Sequence, residues 1–120
     1  TGGTQRLSRL LGKSTALRWC IEGKVVPIDE ALEKGILDQI LPATGFSQAV
    51  KEYALEFCPP RKAALAVGLI KRSIQSGSEM GIHEGLALER ELQQRLFDSE
   101  DAREGIAANR EKRPPEFQGK

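Results

Sequence analysis

The residues on which most site chemistry depends are scarce in this sequence. Its 120 residues hold one histidine, two cysteines and one each of tryptophan, tyrosine and methionine. A single imidazole leaves no second nitrogen ligand for a zinc site, and Cys20 and Cys58 have neither metal-ligand spacing nor a disulfide framework. No metal site is expected, and both cysteines read as small buried apolar side chains. Net charge is nearly absent too. Eighteen Lys and Arg against 17 Asp and Glu leave +1, which gives no general attraction to nucleic acid or to an anionic membrane. No apolar run approaches the roughly 18 residues of a membrane span, and no signal-like segment opens the chain. The setting expected from these absences is soluble, reducing and cytoplasmic, or an organelle matrix in a eukaryote. The chain opens at Thr1, without methionine, directly onto a glycine pair, and further sequence is expected before it.

Gly12-Lys13-Ser14 has the tail of a phosphate-binding loop. Such a loop needs a glycine five positions earlier, where the backbone can turn to aim its N–H groups at a phosphate. Leu7 stands there, and Leu7, Leu10 and Leu11 fall at helical offsets. A helix occupies the place of the loop, so nucleotide binding through this motif is not expected, and Gly12 reads as the end of one helix with Ser14 capping the next.

The apolar spacing predicts six to seven helices over residues 4–110. Thr4 is placed to cap a helix through Leu11, and Ser14 a second that runs to a glycine stop at Gly23. Pro27 starts a short turn with Asp29 and Glu30 at its positive end and Gly35 after it. Residues 36–41, ILDQIL, read as one short strand-like segment before Pro42. Val50, Tyr53, Ala54 and Phe57 recur at three and four, an amphipathic helix over Ser47–Cys58 that Pro59-Pro60 ends. Ala63, Val67, Ile70 and Ile74 make the stripe of the next helix, widened by Ala66 and Leu69 and closed at Gly77. Residues 82–97 follow with Ile82, Leu86, Leu88, Leu92 and Leu96 inward, and these two helices are expected to pack as an antiparallel pair. Ser99 caps a last helix whose first turn carries Glu100 and Asp101. Residues 111–120 form an extended tail with Phe117 as its only anchor. The fold class is mainly α, with the chain read as a single helical region.

Chemistry is hard to find in this pattern. The carboxylates fall on exposed helix faces or at helix starts, His83 reads as a half-buried structural residue, and no serine has a histidine neighbour or a strained elbow. One binding reading needs no catalysis. Arg6, Arg9, Lys13, Arg18 and Lys24 face only Glu22 in the first 24 residues, a basic face that suits a free-standing helical interaction module. Trp19, Cys20 and Ile21 on its second helix are better core residues than groove readers.

Three blocks in order carry a resemblance. The opening GGTQRL, the stretch ALRWCIEGKVVPIDEALEKGILDQILP and the closing SEDAREGIAANREKRPPEF look like the C-terminal part of the enoyl-CoA hydratase/isomerase family, the crotonase superfamily. Asp101, Glu104 and Gly105 fit its Asp-x-x-Glu-Gly block, and Glu111-Lys112-Arg113-Pro114 completes the set.

The resemblance implies a helical region that supports a trimer or dimer of trimers and closes an acyl-CoA site, with coenzyme A as part of the substrate and no other cofactor. It implies that the oxyanion-hole loops and catalytic glutamates belong to an N-terminal spiral core, upstream of Thr1, so that this chain holds no catalytic residue. Two carry-overs follow. Gly2 and Gly3 correspond to the border of the acyl pocket, and equally suit a tight turn into a helix. Lys112 matches a lysine that reaches the CoA of a neighbouring subunit, and by residue chemistry alone is an exposed tail lysine. Asn109 stands where well-known hydratases carry an aromatic residue. Nucleic acid is not an expected partner.

Overall fold

A computed structural model describes residues 2–120, which fall into two compact units, one extending to Thr44 and one comprising Gly45–Lys120. The first contains α1 (Gly3–Leu11), α2 (Lys13–Glu22) and α3 (Ile28–Glu33). The second contains α4 (Phe46–Leu55), α5 (Ala64–Gly77), α6 (Ile82–Phe97) and α7 (Glu100–Glu111). Seven helices and no strand form among the described residues. The segment 36–41 is irregular, because it has no neighbouring strand to complete a ladder and its first amides bond locally, from Ile36 and Leu37 to the Ala31 carbonyl.

In the first unit, α1 packs on α2 and the buried seam is Ala16 and Trp19. Glycines, not hydroxyl residues, start both helices. Gly2 and Gly12 hold the N-cap positions, so Thr4 and Ser14 lie inside the first turns and make no cap bond. Gly23 ends α2 as anticipated, in the left-handed conformation at φ 62°, with its N–H on the Trp19 carbonyl. Cys20 is exposed, contrary to the expectation of burial, because it lies one position round the helix from Trp19, which already fills the seam.

In the second unit, α5 packs against α6, and α6 against α7. The end of α5 approaches the start of α6 so closely that a Cβ on Gly85 would lie 3.6 Å from the Gly77 carbonyl oxygen. The α5 face differs from the expected stripe. Leu69 is buried, while Ile70 and Ile74 are 54% and 65% exposed. Apolar residues surround α5, so periodicity alone does not choose a face, and the position of α6 does. On α6 the buried residue is Leu92, flanked by half-buried Leu88 and Leu96, while Ile82 and Leu86 point outward and His83 is exposed. A groove of about 310 Å³ runs along this pair, lined by Leu69, Ile70, Ser73, Ile74, Glu89, Leu92, Gln93 and Leu96.

Helix α4 ends at Leu55, earlier than its apolar pattern indicates. The next amides, Glu56 to Tyr53, Phe57 to Ala54 and Cys58 to Leu55, bond three residues back and tighten the chain before Pro59-Pro60. It packs against no other helix of its unit. Its Tyr53 and Phe57 instead meet edge to face, with centroids 5.1 Å apart, and both stay partly exposed. Cys58 is half-buried, its thiol near the Ala54 carbonyl.

Candidate functional site

The polar groups of the second unit converge on α7 and the tail behind it. Ser99 is buried at the N-cap, and its Oγ accepts the Ala102 N–H at 3.1 Å. The Asp-x-x-Glu-Gly spacing puts Asp101, Glu104, Gly105 and Ala108 on one face, since positions three and four apart are helix neighbours. Ala108 is 1% exposed at the bottom of that face.

Each member of the block holds the tail. Asp101, only 3% exposed, accepts the backbone N–H of Gln118 on Oδ1 and of Gly119 on Oδ2, both at 2.7 Å, and its own N–H donates to the Lys120 carbonyl. These are short charge-assisted bonds to a carboxylate removed from water. Glu104 accepts a two-point contact from the Arg113 guanidinium at 2.6 and 2.9 Å, and the Glu116 N–H at 2.9 Å. The Arg113 bond first and the Glu116 amide second lower the Glu104 pKa to about 2. Contact with Glu104, then Glu111, raises that of Arg113 further above its already high value. The Phe117 ring packs beside Gly105, its edge carbon at the ordinary contact distance of 3.6 Å from where a Cβ would stand. Phe117 is therefore an anchor but not the only one. Asp101 is a first-turn acid favoured by the helix dipole, and the face it shares with Glu104 and Gly105 is the sequence signal for its second role.

Lys112 sits where the tail leaves α7. Its φ of 56° and ψ of 35° are left-handed, and it is the one non-glycine residue with positive φ among the described residues. A side chain there costs about 1–2 kcal/mol. Its N–H bonds to Ala108 and Asn109 carbonyls, and the Arg113 N–H reaches back to the Ala108 carbonyl at 3.1 Å. This is the helix ending that glycine usually makes. The residue is exposed, and its ammonium has no ion-pair partner among the described residues.

Gly2 and Gly3 lie in the first unit and are described there. Gly2 is left-handed at φ 90°, its carbonyl accepts the Arg6 N–H, and a Cβ would come within 3.0 Å of the Arg6 guanidinium. Gly3 has helical backbone and nothing within 4 Å of a Cβ, so the turn requires only Gly2 to be glycine. The basic face of this unit is partly spent: Lys24 pairs with Glu30 at 2.7 Å and lies 5.0 Å over the Trp19 ring. The buried Trp19 Nε1 has no acceptor among the described residues. Among those residues no three His, Cys, Asp or Glu side chains gather where a metal ion would sit, and no helix is long and apolar enough to cross a membrane.

The arrangement is the helical C-terminal part of a crotonase fold. The chain belongs to the enoyl-CoA hydratase/isomerase family, whose model matches residues 1–120. It is 36% identical to the 2,3-dehydroadipyl-CoA hydratase of Escherichia coli (strain K12), over 99% of this chain and 46% of that protein. A probable mitochondrial enoyl-CoA hydratase 2 of Arabidopsis thaliana is 35% identical over 98% of this chain and 38% of its own length. Among solved structures, an enoyl-CoA hydratase of Geobacillus kaustophilus HTA426 superposes with a TM-score of 0.90 at 42% identity, covering 99% of this chain and 44% of that one. The chain thus spans less than half the length of these relatives.

Proposed function

We propose that this chain is the C-terminal helical portion of an enzyme that hydrates, dehydrates or isomerises acyl-CoA thioesters. Its part is to support a homo-oligomer, a trimer or a dimer of trimers, and to close the CoA site. The end-to-end match to hydratases, over less than half of their length, carries this reading. The reaction needs two fixed N–H donors for the thioester oxygen and carboxylates that move a proton and a water. In this reading the catalytic groups belong to sequence before Thr1, and coenzyme A enters as part of the substrate.

In this reading Lys112 offers its ammonium to a CoA phosphate, supported by its exposure and its lack of an ion-pair partner. Gly2 and Gly3 border the acyl pocket, and the left-handed turn at Gly2 is compatible with close approach of a substrate. The compartment in this reading is the cytoplasm, or an organelle matrix in a eukaryote; some of the relatives are named as mitochondrial.

The test is crotonyl-CoA hydration, followed by loss of the enoyl-thioester absorbance. The 120-residue chain alone should give only background, and the same chain joined to the reading frame that precedes it should turn the substrate over. Activity of the isolated chain, or an upstream frame without a glycine-rich loop and a glutamate, would overturn the proposal.

A further inference from the structure

Lysine does not choose a left-handed backbone by itself, yet Lys112 adopts one, and its neighbours on both sides are tied down. Arg113, directly after it, donates two bonds to Glu104 at 2.6 and 2.9 Å, one from Nε to Glu111 at 2.7 Å and one to the Pro114 carbonyl at 3.2 Å. Glu111, directly before it, is thereby joined to Arg113 across the turn. Glu104, nine residues before Arg113, also accepts the Glu116 N–H. The chain is clamped before, after and beyond Lys112 by one guanidinium and the Glu104 carboxylate that it meets.

This clamp also decides which cation is available. Arginine is in general the better partner for a phosphate, because its planar fork matches two oxygens. Here each nitrogen of that fork is already engaged, whereas the Lys112 ammonium is not. We propose that Glu104 and Arg113 are positioning residues for Lys112: their ion pair holds the left-handed turn so that the ammonium is set in place for a CoA phosphate before the ligand arrives. The inference rests on the reading of Lys112 given above. A turn ordered in advance removes an ordering cost from binding, so losing the clamp weakens binding without touching the reacting atoms.

The test is made in the longer enzyme that carries this chain, with crotonyl-CoA as substrate, on Lys112→Ala, Glu104→Gln, Arg113→Lys and the Glu104→Gln/Lys112→Ala double variant. The expected result is a severalfold rise in KM for each single variant, kcat within about twofold of the parent, and no further rise in the double variant, as coupled residues require. Amide exchange supplies a readout independent of turnover: Glu104→Gln should speed exchange of the Arg113 N–H at least tenfold and leave α5 and α6 unchanged. Unaltered KM in Lys112→Ala overturns the reading of Lys112 and this inference with it. Raised KM in Lys112→Ala with unaltered KM in Glu104→Gln overturns the inference alone. Additive effects in the double variant, or unchanged exchange at Arg113, also overturn it.

Discussion

At the scale of single residues, Lys112 carries a side chain in a backbone conformation that costs stability. Glycine takes the left-handed helix ending without the strain that a Cβ brings. Lys112→Gly is therefore expected to stabilise the second unit by about 1 kcal/mol in urea denaturation while weakening CoA binding. Glu104 gives the residue scale a pH dependence. Its pKa is lowered from 4.5 to about 2 by Arg113 and the Glu116 amide, so the folded state binds that proton less readily than the unfolded chain does. The stabilisation it contributes is complete above about pH 4.5 and is lost as pH falls towards 2. Amide exchange of Glu116, followed across that window, should accelerate with acid in the parent, and should be fast and much less pH-sensitive, after correction for intrinsic exchange, in Glu104→Gln. The Lys112 conformation was not legible in the sequence, because a side chain with positive φ is a compromise imposed by its surroundings.

At the scale of elements, α7 and the tail behave as one piece. Removing the Ser99 cap leaves the Ala102 N–H unpaired, and Ser99→Ala should cost about 1 kcal/mol in the same denaturation experiment. Asp101→Ala acts on the other end of the piece. It removes the acceptor of two charge-assisted backbone bonds, of which each is worth about 1.5–3 kcal/mol, and releases residues 118–120. Carboxypeptidase digestion read by mass should then trim the tail faster than in the parent. The limits of α6 and the cap of α7 were legible because apolar spacing and a serine before two acids agree there. Those of α1 and α2 were less legible. Thr4 and Ser14 are good capping residues, but the left-handed Gly2 and the turn at Gly12 start both helices two positions earlier.

At the scale of the whole molecule, large apolar side chains stay at the surface of both units. Ile70, Ile74, Ile82 and Phe97 are each more than half exposed, and α4 presents Tyr53 and Phe57 with no helix of its unit against them. The isolated chain is expected to self-associate with concentration in analytical ultracentrifugation. Ile70→Glu with Ile74→Glu should weaken that association while leaving helicity by circular dichroism unchanged, since neither side chain is in the core. A monomer at all concentrations in the parent would contradict this expectation.

The sequence by itself determined the helices and the family. Three- and four-residue apolar spacing, glycine and proline stops, and motif blocks in a fixed order are local properties that any reader of the chain can count. Only the tertiary structure decided which face of α5 is buried, that Cys20 and His83 stay at the surface, and that Asp101 and Glu104 hold a tail up to 18 residues further on. Those outcomes depend on which of several comparable faces meets a neighbour, and on backbone N–H groups that every residue carries, so spacing shows which face Asp101 and Glu104 share but not what that face holds.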